Sequence, residues 1–267
     1  MLVVKIDNSP DARPPVGLAA ADQVYVEPVE GGLSRIAAVF AERKPPVVGP
    51  VRSARETDLG LLPQYGQPTL AFSGAAPELL PLIDRAKLQN ASADVLKGSY
   101  FREPTRKAPH NLFARTDRLP QGSPWPAASR PHFGPAPDGG GPSPHQEVHY
   151  QKAVIGFDWS PQQNRWTVSM DGKPYTTQDS GPVGAGTVVL QDVPIRDSAF
   201  KDVAGSSSPL AQTVGEGRAT VLRGGEAYPA KWSRPSPDAA TTYTTPQGAP
   251  IAFAPGQTWT VFRPAGG

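Results

Sequence analysis

The segment Gly49-Pro50-Val51-Arg52-Ser53-Ala54-Arg55 sets two guanidinium groups three residues apart, between a short strand and a predicted helix. Arginine forks match the oxygens of phosphate and carboxylate. A serine at the N-cap leaves the first helical N–H groups facing an anion. Arg52, Ser53 and Arg55 are therefore candidate anion ligands. The competing expectation is an internal ion-pair network in which both arginines are spent on Glu30, Asp58 or Glu56. A second segment, Arg106-Lys107-Ala108-Pro109-His110-Asn111, adds two cations, an imidazole and an amide. Arg106, Lys107 and Asn111 join the candidate ligands, as does Arg35, which with Asp7 and Glu30 would orient the others. His110 suits either a general base or a structural hydrogen bond. In an enzyme reading, Glu30 or Asp7 works with His110 as acid and base on an envelope polymer, and the cations stabilise developing negative charge. A glycosidase would need two carboxyls about 5–10 Å apart, which spacing in the sequence does not supply.

Other patterns point to blander roles. His145, Glu147 and His149 would pair around a metal on a helix, but they follow a proline-rich stretch and fit a solvated strand edge, so no metal site is expected. Trp159, Trp166, Trp232 and Trp259 fit core and edge packing. No Walker loop, dinucleotide fingerprint, nucleophile elbow or zincin helix occurs, and no cofactor is expected. The absence of cysteine excludes a disulfide framework, thiolate-held metals and a cysteine nucleophile. A formal charge of +2 without aromatic stacking motifs speaks against nucleic acid. No apolar run reaches the roughly 18–20 residues of a membrane-spanning helix.

The elements that must position these groups fall into three regions. Residues 1–119 mix strand and helix patterns, 120–146 are rich in Pro, Gly and Ser, and 147–267 are almost entirely β. The first region carries 15 basic and 13 acidic residues, the second one of each and the third ten of each, so the net charge sits where the candidate cleft lies. Leu2–Asp7 predicts a core strand; its abrupt start predicts that a leader has been removed upstream. Gln23–Val29 and Ser34–Ala41 predict a hairpin about Gly31-Gly32, although the second run is also compatible with a helix. Ala54–Tyr65 predicts a helix interrupted near Pro63, Pro68–Ser73 a strand, and Glu78–Ala86 a helix with Pro77 near its first turn. The expected fold class is α+β (or α/β), a mixed layered sheet with helices followed by a β-rich domain. Residues 120–146 are a linker or a surface excursion.

Taken together these segments resemble a known family. Val4-Lys-Ile-Asp-Asn8, Asp11-Ala-Arg13-Pro, Val29-Glu-Gly-Gly-Leu-Ser-Arg35, the Gly49–Arg55 segment, Arg106-Lys-Ala-Pro-His-Asn-Leu112 and, downstream, Thr187-Val-Val-Leu, Gly215-Glu-Gly217, Lys231-Trp232 and Pro255-Gly-Gln-Thr-Trp259 are similar to the YerB-like bacterial lipoproteins, a family of unknown function. The resemblance implies an N-terminal domain, a C-terminal β domain and an extracytoplasmic protein. Its membrane contact would be only a lipid anchor, on a leader and lipobox cysteine outside this sequence. It supplies no activity. The expected partner is an anionic envelope glycan, lipid or small molecule; the rival expectations are a hydrolase on the same cleft and a non-catalytic scaffold.

Overall fold

The computed structural model describes residues 1–201 and 205–266. Leu2–Asp7 forms a strand buried along its whole length. A strand covered on both faces carries apolar residues at consecutive positions, and here Leu2, Val4 and Ile6 face one layer while Met1 and Val3 face the other. Ser34–Phe40 runs antiparallel beside it, and Gln23–Pro28 antiparallel on the far side of Ser34–Phe40. The ambiguous Ser34–Ala41 run is thus the hairpin partner. Gly31 and Gly32 both take positive φ, and a Cβ on Gly32 would lie 2.5 Å from Gln151 Cβ, so the tight loop needs glycine there.

These strands are the middle of an eleven-stranded sheet. Thr69–Phe72 and Gln89–Ser92 extend it in parallel beyond Leu2–Asp7. On the opposite side Gln23–Pro28 pairs in parallel with Thr258–Pro264, which pairs in parallel with Thr187–Val193. Gly215–Arg223, Glu226–Arg234 and Thr242–Thr244 follow, and Gly141–Pro142 pairs beside Glu226–Arg234. One sheet therefore runs through the first and last regions of the sequence, joined where Thr258–Pro264 meets Gln23–Pro28.

A smaller sheet built on His145–Tyr150, Ala153–Ser160 and Arg165–Met170 packs on the Leu2/Val4/Ile6 face. Trp166 and Trp259 are fully buried in that interface, with Phe157 edge-on to Trp259 at 6.1 Å. The other face carries the helix Glu56–Leu61, a 3-10 turn Leu62–Tyr65, the helix Leu80–Arg85 and the hairpin of Ile195–Lys201 with Ser207–Ala211. With 45% strand and 13% helix the fold is mainly β, so the α+β (or α/β) expectation is met only loosely. The helices are shorter than their patterns predicted for a physical reason. Pro63 has no N–H to donate, so Ala54–Tyr65 is α-helical only over Glu56–Leu61 before it tightens into 3-10 geometry.

Residues 120–146 run over the surface and are tied to it. Ser123 N–H donates to Gln67 O at 2.9 Å, Thr69 Oγ1 donates to Pro120 O at 2.8 Å, and Phe253 N–H donates to His132 O at 2.8 Å. No helix of the described residues is long and apolar enough to cross a membrane.

Candidate functional site

Strand register brings the first charges together. Asp7 and Glu27 lie directly across Ser34–Phe40 from each other, on either side of Arg35, so the three side chains share a face with Lys5. The Gly49–Arg55 segment is laid against the ends of these strands. Asp7 N–H donates to Pro50 O at 2.9 Å, Arg52 N–H to Lys5 O at 2.8 Å, and Ser73 N–H to Arg52 O at 3.0 Å. The residues expected to converge from 7, 30, 35 and 52–55 therefore do so, on the helix-bearing face.

The deep end of the cluster is Lys5, whose ammonium contacts Glu27 and lies 2.8 Å from Asp58 Oδ1; all three side chains are at most 1% exposed. Burial pushes the Glu27 carboxyl above its ordinary range; Lys5 draws it back only in part, and neighbouring Asp58 adds to the rise. Asp58 Oδ2 accepts the Arg55 N–H at 2.8 Å. That contact corrects the role expected of Ser53. The helix starts at Glu56 with Arg55 as its N-cap, Asp58 occupies the free N–H position, and the Ser53 hydroxyl lies 3.5 Å from that of Ser73.

The outer end gathers around Asp7 and Glu30. Asp7 Oδ2 accepts from Arg52 Nε at 3.0 Å and lies 2.8 Å from His110 Nδ1, while Asp7 Oδ1 accepts from the Ser9 N–H and hydroxyl. Burial alone would raise Asp7, but the bonds from His110 and Ser9 and the charge of Arg35 outweigh it and hold the carboxyl below its usual range. Glu30 Oε2 accepts from Arg55 Nη2 at 2.8 Å, and Glu30 Oε1 lies 2.6 Å from Arg55 Nε and accepts from the Ser208 hydroxyl. Burial is again outweighed, here by Arg55 and Ser208, and Glu30 is held low. The cavity beside this pair measures about 20 Å³, room for about one water.

Arg35 is different. Its side chain is 6% exposed, and it donates from Nη1 to Ser53 O at 3.2 Å. Its buried Nε has no hydrogen-bond partner, and it forms no ion pair among the described residues. Burial, then the neighbouring guanidinium of Arg55, pushes its pKa down to about 10, against the pull of Asp7. At this end three arginines (35, 52 and 55) face Asp7 and Glu30, and Glu27, directly across from Arg35, brings a third carboxylate from the deep end.

Three predicted ligands stand apart from this array. Arg106 donates to the carbonyls of Ala12 and Pro14, at 2.9 and 2.6 Å, and to Gln178 Oε1, so it braces loops. Asn111 accepts from Arg102 at 2.7 Å and donates to Arg106 O at 3.2 Å, closing its own turn. Lys107 is exposed.

For acid–base chemistry the geometry is partial. Glu30 is bound by Arg55 and Ser208 rather than by His110, and its lowered pKa keeps it ionised at neutral pH. Asp7 does orient His110 through Nδ1. Ser9 Oγ lies 3.2 Å from the same Nδ1, so Ser9, His110 and Asp7 do not form the relay of a serine hydrolase, which needs the hydroxyl on Nε2. His145 and His149 lie on one face of their strand with Glu147, and His145 Nδ1 sits 2.7 Å from Asp158. No cluster of three or more His, Asp or Glu among the described residues is arranged to hold a metal.

Sequence reasoning passed over Lys5, Glu27, Ser9 and Ser208. The signal for the first two was available: a charged residue inside a strand buried on both faces must be paired. Nothing local marks Ser208, which reaches Glu30 from 178 residues away.

Residues 1–125 match the N-terminal domain, and 146–260 the C-terminal domain, of a family described as "Protein of unknown function (DUF3048)". "Putative lipoprotein YerB" of Bacillus subtilis is 32% identical over 124 residues, 44% of this chain and 36% of that protein. The aligned part thus spans about a third of the relative. The crystal structure of the YerB protein from Bacillus subtilis has the same fold, with a TM-score of 0.80 and 20% identity over 98% of this chain and 90% of the other.

Proposed function

This chain belongs to the DUF3048 family, both of whose domains it contains, and from that premise we propose that it is an extracytoplasmic envelope protein that holds an anionic group beside Arg35 and Arg52. The lipoprotein name of the Bacillus relative supports the location. The observation that carries the binding reading is Arg52, partly exposed and set beside the guanidinium groups of Arg35 and Arg55; Arg35, whose buried Nε has no partner among the described residues, adds positive potential rather than a contact. A phosphate or carboxylate oxygen would meet Arg52 at the outer end, where three guanidinium groups lie together. Arg52 is the accessible arm, with 30% of its side chain exposed and only Nε committed to Asp7. His110, held at Nδ1 by the same Asp7, stands beside it with part of its side chain exposed.

Titration of the full chain with inorganic phosphate and with a phosphorylated disaccharide, followed by calorimetry, tests this reading. Saturable binding that weakens about tenfold in Arg52→Gln, a loss worth one charge-assisted hydrogen bond, is the expected result. No binding at millimolar ligand, or equal binding by the variant, removes it.

A second reading has its own observation. Glu30 is held jointly by Arg55 from the N-terminal half and Ser208 from the C-terminal half, and Ser198 donates to Glu56 Oε2 at 2.5 Å. Such contacts suit a non-catalytic scaffold whose buried charges tie its two halves together. This reading gains if anions fail to bind while Glu30→Gln loosens the pairing of Ile195–Lys201 with Ser207–Ala211 in hydrogen exchange.

A further inference from the structure

The proline-rich excursion carries an aromatic ring that the fold does not cover. Phe253 N–H donates to His132 O at 2.8 Å, and Gly134 N–H donates to Phe253 O at 3.1 Å. Backbone bonds on both sides thus hold Phe133 in place, yet it is 46% exposed, the one exposed aromatic among the described residues. Phe133 lines a cleft of about 450 Å³ together with Trp125 from the same excursion. Three turns from distant parts of the chain close the rest: Asp22 with Glu42 and Arg43, the hairpin turn 163–165, and 255–257.

The polar side chains around these rings are positioned but not used up. Asp22 Oδ2 accepts from the N–H groups of Ala41 at 2.6 Å and Glu42 at 3.1 Å, which fixes the turn bearing Glu42 and Arg43. Those two side chains are exposed and have no partner among the described residues. Arg165 Nε donates to Gln163 Oε1 at 2.8 Å, which identifies the amide oxygen and leaves the exposed Gln163 NH2 without a partner among the described residues. A Cβ on Gly184 would fall 2.6 Å from Arg165 Cδ, so glycine there lets the arginine lie close against the strand. The two Nη groups of Arg165 and the exposed Asn164 amide also lack partners among the described residues. Asp22 and Glu42 balance Arg43 and Arg165, so the lining has no formal charge to draw an ion. Unspent donors and acceptors around two aromatic rings, with no charge in excess, match a molecule polar at its edge and apolar on its faces. A pyranose with equatorial hydroxyls is built that way. An apolar cavity of about 150 Å³ takes a benzene, so about 450 Å³ holds roughly two such rings with their hydroxyls.

We propose that this cleft binds a neutral saccharide of about two pyranose units, its CH faces stacked on Phe133 and Trp125 and its hydroxyls bonded by Arg165, Gln163, Asn164 and Glu42. The cleft shares no residue with the anion site, so either reading can fail without the other. Cellobiose is the probe, and sorbitol, which has hydroxyls but no ring face, is the control. Calorimetry and protein-detected NMR on the full chain should show saturable cellobiose binding that shifts the Phe133 ring and the Gln163 and Asn164 NH2 signals, with sorbitol about tenfold weaker or more. Phe133→Ala should lose about tenfold in cellobiose affinity, and its melting temperature should fall little because the ring already lies nearly half in water. Phe133→Tyr should keep the affinity. Asn164 has a φ of 48°, so Asn164→Gly removes the amide without straining the turn and should lose about threefold. Arg52→Gln should bind cellobiose as the parent does. Absence of cellobiose binding at millimolar concentration, shifts confined to other residues, sorbitol binding as tight as cellobiose, undiminished binding by Phe133→Ala or a loss in Arg52→Gln each overturns the proposal. The wild-type spectra decide it even if a variant does not fold.

Discussion

Lys5 and Asp7 are neighbours on one face of one strand, yet they organise charge in opposite ways. At Lys5 a single ammonium is divided between two carboxylates, sealed from water. At Asp7 a single carboxylate collects an arginine, an imidazole and two donors from Ser9, and the arginine reaches the surface. Burial pushes both Glu27 and Asp7 upward, but only Asp7 has enough donors to reverse the sign. Within about two residues of strand, the count of hydrogen bonds to the charged form decides the direction of a pKa shift more than depth does. The deep group is a closed arrangement. The outer group, with an extra arginine, is the one able to accept something more.

The largest expected effect breaks the deep group. Lys5→Met leaves Glu27 and Asp58 buried side by side without a cation, and should cost about 3–5 kcal/mol in denaturant unfolding. A loss below about 1 kcal/mol would mean the triad is not the closed unit described. Glu27→Gln in the Lys5→Met background should recover part of the loss, since it removes one stranded charge. Next comes the Glu30–Arg55 contact. Arg55→Gln should cost about 2 kcal/mol, because Glu30 is largely buried and keeps only Ser208. A double-mutant cycle with Glu30→Gln measures the coupling, and additive losses would show that the pair acts as two separate surface charges.

The opposed pKa shifts give a pH test of intermediate size. Asp7 is lowered on folding from its ordinary 3.8, so its contribution is present above that value and is lost as pH falls through the lower folded pKa. Glu27 is raised from its ordinary 4.5, so its contribution is present below that value and is lost as pH rises through the higher folded pKa. Urea unfolding of Asp7→Asn should therefore show lower stability at neutral pH and a flatter acid limb than the parent. Glu27→Gln should instead remove a decline on the alkaline side of pH 4.5. Variants that change the same limb would erase the distinction between the two groups.

Much of the frame was legible in the residues, and the limits have physical causes. Leu2–Asp7 shows itself as a core strand because Leu2, Val3, Val4 and Ile6, broken by one lysine, fit a strand buried on both faces, and Gly31-Gly32 marks the hairpin of Gln23–Pro28 with Ser34–Phe40 because few other residues take that turn. Arg52 and Arg55 stood out because strand-to-loop junctions present side chains. Their partners were half visible. Glu30 was among those expected for Arg55, but Asp7 as the partner of Arg52 depends on where Pro50 docks, a long-range fact. Ser53 was misread as the N-cap because its residue type carried more weight than the acid at 58, which marks a cap three residues before it, at Arg55. The joining of the two regions by Thr258–Pro264 left no local trace at all, since a parallel pairing between residues more than 200 apart is written in neither segment.

The smallest expected effect on stability lies at the open end of the comparison. Removing Arg52 leaves Asp7 still bonded to His110 and to both Ser9 donors, so its carboxylate remains satisfied. With 30% of the Arg52 side chain in water, the pair belongs with half-exposed ion pairs, and Arg52→Gln should lower unfolding free energy by less than about 1 kcal/mol. The acid limb should scarcely move either, because His110, Ser9 and Arg35 are the groups that hold Asp7 down. A loss near that of Lys5→Met, or an acid limb displaced as far as in Asp7→Asn, would mean that Arg52 is as locked into the fold as Lys5. The outer end would then have no arm left to meet an anion.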